Sequence, residues 1–361
     1  MTISSYFRRA YRTSAGTWTR EGEWLVARWK LRYRKGRKFE LETAIKIDED
    51  VPAEPPSVGA ALAAILLPAM RRRPNRVHLP RPLDATMQAN LPGLQAKYVE
   101  FFPERKMQRV PVRAAAGRAE DAPAPGGRRV GVFASLGVDS FSSILTHLDE
   151  IDDLIIYRGG NIGFDPENDP VWSQMVESAR TVAEDLGKRL IPVRTNIRTF
   201  IVAKGGAGWG MCHGATLAHI ALLLQPWLHT VYVPASCHFG HPRYVGYEGP
   251  MGSHPQLDPL WSSDQLRIIH DGGEFARIER VHRVAQSPVA LRYLQVCNHD
   301  AWPYIGGIYN CGQCAKCLHT MMELESAGVL KACATLPDEI PVSALQAIPK
   351  WGWGVPVSYT H

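Results

Sequence analysis

The stretch that decides the fold runs from Val130 to Ser140 and reads VGVFASLGVDS. A short apolar run ends at Ala134, a serine and a glycine-containing turn follow, and an apolar helical pattern begins at Phe141. This order predicts a buried β-strand, a tight turn and a helix N-terminus. Backbone N–H groups and the positive end of the helix dipole would then point at one place, where a phosphate group can bind.

The polar side chains of the turn suit the same chemistry. Ser135 and Ser140 add hydroxyl donors. Asp139 cannot attract a phosphate directly, but its carboxylate is explained if it binds a Mg²⁺ ion that accompanies the phosphates. No Gly-Lys-Ser/Thr follows, so the motif is not a Walker P-loop. An ordinary strand–turn–helix corner would give the same short pattern, and the turn alone leaves both interpretations open.

A second motif lies near the C-terminus. Four of the seven cysteines, Cys297, Cys311, Cys314 and Cys317, form the pattern C-x13-C-x2-C-x2-C. This spacing predicts a structural Zn²⁺ site with four thiolate ligands and no open position for catalysis. An Fe–S cluster also takes four thiolates, whereas disulfide bonds are not expected without a secretory signal. Ligand softness and spacing favour zinc.

The segment Ser135-Leu136-Gly137-Val138-Asp139-Ser140 resembles the SGGxDS pyrophosphate loop of the N-type ATP pyrophosphatases. A C-terminal four-cysteine zinc knot behind such a loop is the layout of the cyano-deazaguanine synthase family. The resemblance covers about residues 128–328. It implies that ATP binds at residues 135–140, that Asp139 holds Mg²⁺, and that the Gly137 backbone and the serines hold pyrophosphate. Leu136 stands where the family has its first glycine, and we expect an ordinary φ there.

Members of this family cleave ATP between the α and β phosphates and adenylate a carbonyl oxygen, and a nitrogen or sulfur nucleophile then displaces AMP. The zinc layout resembles the nitrogen-using branch. The resemblance therefore implies an AMP-forming ligase that makes an amide or nitrile, with ATP, Mg²⁺ and Zn²⁺ as cofactors. Its partners would be a small carboxylate or amide substrate and ammonia.

Two alternatives remain open at this point. One is a sulfur-transferring thiolase that acts on tRNA or a metabolite, with Cys212 or Cys237 as the catalytic thiolate. A helix N-terminus at Cys212 would lower the pKa of that thiol. The other is a non-catalytic nucleotide- or RNA-binding protein, although RNA is not the favoured partner.

Composition narrows the class of protein. The chain has 361 residues, with 41 Lys and Arg against 35 Asp and Glu, which gives a formal net charge of +6. This mildly basic balance suits an anionic nucleotide or tRNA without proving either. The longest apolar run, residues 58–70, contains Pro68 and is too short to span a bilayer. No secretory signal is evident, so we expect a cytoplasmic protein that does not bind membranes, and a homodimer is left open.

Periodicity predicts four regions. Residues 1–112 form a small β-rich N-terminal module, with a hairpin over residues 23–47 and short strands near residues 96–102 and 109–113. Residues 113–128 have the composition of a linker, and residues 331–361 form a tail. Residues 129–330 form a second domain, which the resemblance implies is the ATP pyrophosphatase domain with its zinc-binding segment.

Within residues 129–330 strands and helices alternate, which predicts an α/β fold with a parallel doubly wound sheet, adenine nucleotide alpha hydrolase-like by resemblance. Strands are predicted near residues 130–134, 153–157, 189–193, 230–235 and 266–270. Helices are predicted near residues 138–148, 170–187, 212–227, 273–285 and 312–327.

Ligands of such sheets bind at the carboxyl ends of the strands, so the loops there supply the remaining candidates. Tyr157, Arg158 and Gly159 follow the second predicted strand, where the resemblance implies contacts to adenosine, although a simple glycine turn is an equal alternative. Lys204 could stabilise the departing pyrophosphate or lie on a mobile surface loop. The candidates for the substrate pocket are Ser236, His238, His241, His254, Asp258, Asp271 and Arg277. The histidines would act as acid, base or donor, and Arg277 would pair with a substrate carboxylate.

Overall fold

The computed structural model describes residues 10–33, 36–117, 128–160, 170–240, 251–297 and 310–347. The strands of these residues are β1 Tyr11–Thr13, β2 Thr17–Glu21, β3 Trp24–Tyr33, β4 Arg37–Lys46, β5 Val77–His78, β6 Val112–Arg113, β7 Arg129–Phe133, β8 Asp153–Arg158, β9 Arg189–Thr195, β10 Leu228–Pro234 and β11 Arg267–Asp271.

The α-helices of the same residues are α1 Val58–Arg72, α2 Ala85–Phe101, α3 Val138–Thr146, α4 Pro170–Asp185, α5 Trp209–Leu223, α6 Arg277–Ala285, α7 Pro288–Tyr293, α8 Ala315–Ser326 and α9 Val342–Ala347. Short 3₁₀ segments occur at Pro103–Arg105, Asp258–Trp261 and Leu330–Ala332, and a π-helical segment at Thr199–Lys204. Among the helices described, none is both long and apolar enough to cross a membrane.

All eleven strands join one sheet. Its order is β11-β10-β7-β8-β9-β4-β3-β1-β5-β6, and β2 pairs with β3 beside this path. The five strands β7 to β11 run parallel to one another. The α/β class, the five strands predicted in residues 129–330 and the largely parallel central sheet are therefore confirmed. The chain leaves β7 towards β8 and β9, and then returns past β7 to β10 and β11.

Both faces of the parallel strands are buried, which is why these strands read as nearly continuous apolar runs. Successive residues point to opposite faces, so Val132 and Leu154 enter one hydrophobic core and Phe133 and Ile155 enter the other. Residues of α3, α4, α6 and α8 line the first core. Residues of α1 and α5 line the second.

The N-terminal strands continue this sheet. β4 pairs antiparallel with β9, with Thr43 opposite Thr195, and the core under β3 and β4 is the one that also holds α5. This differs from the separate module predicted for residues 1–112. The composition of residues 113–128 suggested a linker, but composition does not indicate which strands pair across it. In the structure, β4 pairs with the edge of the parallel strands at β9.

The predicted hairpin of residues 23–47 corresponds to β3 and β4. The strand predicted near residues 96–102 is wrong, because α2 covers most of that segment. Its start carries a recognisable signal that our prediction did not use. Asp84 is the N-cap residue, and its carboxylate accepts a hydrogen bond of 2.9 Å from the Met87 N–H.

A buried polar network ties the N-terminal strands to α5. His219 Nδ1 lies 2.8 Å from the carbonyl oxygen of Ala60, and its Nε2 lies 2.8 Å from Thr43 Oγ1. A carbonyl oxygen only accepts, so Nδ1 carries the proton and Nε2 accepts from the hydroxyl. Thr43 Oγ1 also contacts Thr195 Oγ1 at 2.8 Å. Burial lowers the pKa of His219 to about 4, so the imidazole is neutral.

Candidate functional site

The loop between β7 and α3 lies where the strand order of the parallel sheet reverses. β7 has β10 on one side and β8 on the other, and α3 begins at Val138 with Gly137 as its N-cap. Among the described residues no side chain caps this helix, so its first N–H groups lack an intrahelical partner. In open α/β sheets, a crevice at such a reversal is the usual place for a ligand.

Leu136 has a left-handed backbone with a φ of +59°. The ordinary φ that we expected is therefore wrong. The left-handed conformation costs a non-glycine residue about 1–2 kcal/mol, and the fully buried side chain of Leu136 recovers a similar or larger amount in the core of α3 and α6. The loop thus keeps the backbone conformation that a glycine at this position adopts most easily.

The two serines lie at different depths. Ser135 is exposed and Ser140 is buried. Ser135 Oγ accepts from the Gly137 N–H at 3.4 Å and donates to Ser140 Oγ at 3.4 Å, and Ser140 Oγ donates to the Gly137 carbonyl oxygen at 3.1 Å. The longer two contacts are weak, so the Ser135 hydroxyl can be offered to a ligand at little cost. Ser140 mainly shapes the turn.

Asp139, in the first turn of α3, receives a hydrogen bond from a deeply buried arginine. Arg280 on α6 donates to the Asp139 carboxylate at 2.8 Å. The same guanidinium donates to the carbonyl oxygens of Ala235, Cys237 and Gly272, which follow β10 and β11. Arg280 therefore joins three elements at the carboxyl edge of the sheet. The Asp139 side chain stays 29% exposed, which leaves it accessible to a cation.

Arg280 was missed by our sequence analysis, which chose Arg277 one turn earlier. Arg277 is already paired within the chain: its Nε lies 3.1 Å from Glu323 Oε2 and its guanidinium donates to Thr320 Oγ1 at 2.7 Å, both on α8. The structure therefore engages Arg277 in holding α8 against α6. Burial raises the pKa of Glu323, and the charge of Arg277 opposes that rise.

Lys316 is a second cation that the sequence did not reveal. It shares one face of α8 with Thr320 and Glu323, at spacings of four and seven residues. Burial lowers the pKa of its ammonium group, and the carboxylate of Asp139 opposes this. Lys316 thus lies within electrostatic reach of the loop. Burial and the charge of Arg277 lower the pKa of His319, its neighbour on α8, to about 4.

The four predicted cysteine ligands come together. The sulfur atoms of Cys297, Cys311, Cys314 and Cys317 all lie within 4.8 Å of one another. The individual distances are 4.0 Å for Cys297–Cys314, 3.8 Å for Cys311–Cys317 and 3.5 Å for Cys314–Cys317. Tetrahedral zinc with bonds of about 2.3 Å would place its sulfur ligands about 3.8 Å apart. The cluster can therefore hold a metal ion such as zinc.

A buried asparagine positions the first of these ligands. Asn310 Oδ1 accepts from the N–H groups of Val296 and Cys297 at 2.8 and 2.9 Å. Its Nδ2 donates to the carbonyl oxygens of Leu294 and Thr335 at 2.9 and 3.0 Å. Asn310 thereby fixes the segment before Cys297. In the sequence, Asn310 is recognisable only as a neighbour of Cys311, which is a weak signal.

The segment before the cysteine cluster contacts the loop between β7 and α3. The N–H of Gln295 donates to the Leu136 carbonyl oxygen at 2.8 Å. A Cβ atom added at Gly137 would lie 3.3 Å from the Gln295 carbonyl oxygen, so the two backbone segments lie close together. The cysteine cluster and the loop therefore belong to one structural unit.

The residues predicted to contact adenosine lie at the end of β8, next to β7. Gly159 has a φ of +101°, and a Cβ atom there would lie 1.8 Å from the Thr195 carbonyl oxygen, so only glycine fits. Tyr157 meets Phe133 edge-on at 6.2 Å, and burial raises its pKa. Arg158 is 1% exposed. The three residues lie at the edge of the sheet that also carries the loop between β7 and α3. Gly159 in addition allows the close approach of this segment to Thr195.

Lys204 is not part of this group. It ends the π-helical segment and is exposed. The next residue, Gly205, accepts a hydrogen bond of 2.9 Å from Arg72 Nε on α1. In the described part of the chain, the Lys204 ammonium makes neither an ion pair nor a hydrogen bond. Lys316, rather than Lys204, is the lysine that the structure brings near Asp139.

The predicted substrate-pocket residues divide between two regions. Ser236 and His238 are half-buried just after β10, and His238 Nδ1 accepts from the Gly240 N–H at 3.1 Å. His241 lies outside the described residues. His254 and Asp258 are almost fully buried, and their role in a substrate pocket stays a prediction.

Each of these two buried residues has contacts that explain its position. His254 meets Phe101 edge-on at 4.6 Å, and its Nδ1 accepts from the Gln256 N–H at 3.0 Å. Asp258 accepts from Ser253 Oγ at 2.7 Å and contacts His270 Nδ1 at 2.8 Å. The pattern of glycine, proline and histidine that suggested a binding loop reflects a polar cluster packed inside the fold.

Asp271, at the end of β11, contacts a histidine that follows α3. His147 Nε2 lies 2.7 Å from Asp271 Oδ1, and His147 Nδ1 lies 2.6 Å from Glu150 Oε1. Tyr232 stacks on His147 at 4.1 Å and donates to Glu150 at 2.7 Å. Asp271 therefore anchors the end of α3, an arrangement that sequence spacing could not indicate.

The cysteines considered for sulfur transfer have unfavourable surroundings. Cys212 is fully buried in α5, and burial raises the pKa of its thiol. The direction is opposite to the lowered pKa that we expected from a helix N-terminus, because removal of the thiol from water disfavours the thiolate. Cys237 is also buried, and its carbonyl oxygen accepts from Arg280.

No protein-family model, no curated protein and no solved structure matches the chain. The family interpretation consequently depends on the two motifs and on the geometry given above. The strongest elements of that geometry are the conformation of Leu136, the position of the loop in the sheet and the cysteine cluster.

Proposed function

We propose that the protein is an ATP-dependent, AMP-forming ligase of the N-type ATP pyrophosphatase kind, with a doubly wound nucleotide-binding sheet. ATP would bind at residues 135–140 and adenylate a carboxylate or carbonyl oxygen of a small substrate, releasing pyrophosphate. Ammonia or an amine would then displace AMP and leave an amide or nitrile. The observation that carries this proposal is the left-handed φ of Leu136, the position that corresponds to the family's glycine.

The surroundings of the loop support binding of a triphosphate. The N–H groups at the start of α3 can donate to phosphate oxygens, and the exposed Ser135 hydroxyl can add one donor. Asp139 is the carboxylate that would hold Mg²⁺, an ion that neutralises charge on departing pyrophosphate. Arg280 fixes the orientation of Asp139, and Lys316 offers a positive charge near it.

Nitrogen is the favoured nucleophile. Four of the seven cysteines belong to the metal cluster, and Cys212 is buried with a raised thiol pKa, so thiolate chemistry loses its best candidate. No disulfide joins any of the seven cysteines, which fits a reducing compartment such as the cytoplasm. The four-thiolate site leaves no open position, so its metal would act structurally.

The test uses purified protein with ATP, Mg²⁺, ammonium and a small-metabolite extract, followed by chromatographic identification of the nucleotide product. We expect AMP and pyrophosphate, and the metabolite consumed would identify the substrate. Asp139→Asn should abolish turnover, whereas Asp149→Asn, at an exposed position beyond α3, should not. ADP and phosphate as products would contradict the proposal.

A further inference from the structure

A row of basic residues crosses the five adjacent strands β4, β3, β1, β5 and β6. The strand register pairs Lys38 with Arg32, and Arg32 with Arg12. It then pairs Arg12 with His78, and His78 with Arg113. In-register residues of neighbouring strands point to the same face. At about 4.8 Å per strand, the five positions extend over about 19 Å. We call these five residues the basic row.

The basic row lies on the solvent side of the sheet. Tyr11, Leu31 and Val77, each next in sequence to a member of the row, point the other way into the core. Four members of the row are exposed, and His78 is half-buried. The alternation along each strand therefore presents the basic side chains outward.

In the described part of the chain, the basic row has no acidic partner. Among the residues that the structure describes, none of its five side chains forms an ion pair or hydrogen bond. A neighbouring part of the same face differs, because Arg28 is paired with Glu21 and Glu42. Burial and the charges of Arg12, Arg76 and Arg113 lower the pKa of His78. Like charges in register destabilise a sheet, and an anion bound along the row would relieve that cost.

We propose that the basic row binds the phosphate backbone of a single nucleic-acid strand. The row is long and one residue wide, which fits a linear polyanion. Glu40 and Glu42, on the same face of β4, would repel a broad anionic surface such as a membrane. The row contains no aromatic side chain on which bases could stack, so binding would be independent of sequence.

This surface is separate from the proposed ATP site. β4, the strand of the row nearest to β7, lies three strands away from it in the sheet. The inference therefore stands or falls independently of the proposed ligase activity. It would place a polynucleotide on a protein whose catalytic substrate is small.

The test is fluorescence anisotropy of a labelled 15-nucleotide oligo(U) with the full-length protein over a range of salt. Four permanent cations predict that the logarithm of affinity falls with that of salt concentration with a slope of about −2.8. Arg12→Ala with Arg32→Ala should weaken binding about tenfold and reduce the slope by about 1.4. Lys30→Ala with Lys46→Ala removes the same charge from the same face and should weaken binding less than about twofold.

Equal weakening by the two pairs would overturn the proposal, because it would show an effect of net charge alone. Absence of oligo(U) binding at low salt would overturn it as well. So would phosphatidylserine vesicles that capture the protein through the basic row. If the first pair lowers the melting temperature, Lys38→Ala with Arg113→Ala at the ends of the row provides the same test, with the same expected reduction in slope.

Discussion

The main-chain N–H of Gln295 donates a hydrogen bond of 2.8 Å to the carbonyl oxygen of Leu136. Gln295 lies two residues before Cys297, the first residue of the cysteine cluster, and Leu136 lies in the middle of the loop between β7 and α3. This contact ties the loop to a segment that Asn310 holds in place and that a metal in the cysteine cluster would anchor further. The two sequence motifs, which are far apart in the chain, thus form a single structure.

The left-handed backbone at Leu136 has a measurable signature in stability. Leu136→Ala and Leu136→Gly remove nearly the same buried side chain, and each should cost about 2–5 kcal/mol in the free energy of unfolding. Alanine keeps the unfavourable φ, whereas glycine does not. We expect the glycine variant to be more stable than the alanine variant by about 1 kcal/mol, measured by chemical denaturation.

Val138 is the matched control, because it is also buried but has helical geometry. There the usual order should hold, with Val138→Ala more stable than Val138→Gly by about 1 kcal/mol. If the alanine variant were the more stable one at both positions, the left-handed conformation of Leu136 would be wrong.

The metal site should support ATP binding without touching the nucleotide. Cys297→Ser should reduce the metal content from one equivalent per chain to near zero, measured by elemental analysis. Because Gln295 would lose its anchor, ATP affinity measured by calorimetry should fall about tenfold or more. Cys333→Ser, at a buried cysteine outside the cluster, should retain the metal. A variant without metal that binds ATP normally would disprove the link.

We expect alanine substitutions of Lys316 and Lys204 to have different effects on kcat. Lys316 is within electrostatic reach of Asp139, so Lys316→Ala should lower kcat about 100-fold once the substrate is identified. Lys204 is exposed and has no such neighbour, so Lys204→Ala should change kcat less than about threefold. Steady-state kinetics with both variants decides the question, and a larger loss in the Lys204 variant would restore the sequence-based assignment.

His219 should make stability depend on pH. Its pKa is about 4 in the folded chain, against 6.5 without burial. Below pH 6.5 the unfolded chain binds a proton that the folded chain does not, so stability falls as pH decreases towards 4, by up to about 3 kcal/mol. Above pH 6.5 this contribution to the pH dependence disappears.

Denaturant unfolding at pH 7, 6, 5 and 4.5 checks this dependence. His219→Gln is less stable at every pH but does not titrate, so its decrease between pH 7 and 4.5 should be smaller than that of the unmodified chain. His213 and His319 also have pKa values of about 4 and should keep part of the slope. Identical slopes in the two proteins would contradict a buried neutral His219.

Short sequence patterns predicted those features of the structure that depend on neighbouring residues in the chain. The strand–turn–helix at residues 130–140 and the cysteine spacing each lie within a short segment, and both formed as expected. Arg280, Lys316 and His147 could not be found in this way, because their partners are distant in sequence. The pairing of β4 with β9 was missed for the same reason, since strand patterns do not state which edges meet.

The backbone of Leu136 was mispredicted for a different reason. Leucine prefers ordinary φ values, whereas here the hydrogen bond from Gln295 and the burial of the side chain stabilise the left-handed conformation. Likewise, the loop rich in glycine, proline and histidine resembled a binding wall, whereas His254 and Asp258 are packed in the core. Composition alone cannot separate these cases.

The most direct test of the central claim is exchange of labelled pyrophosphate into ATP, with Mg²⁺ and the metabolite extract but without ammonia. Adenylation with release of pyrophosphate is reversible, so label should enter ATP only when the substrate is present. Asp139→Asn should remove the exchange and Asp149→Asn should retain it. Label that enters ATP from phosphate instead of pyrophosphate would contradict cleavage between the α and β phosphates.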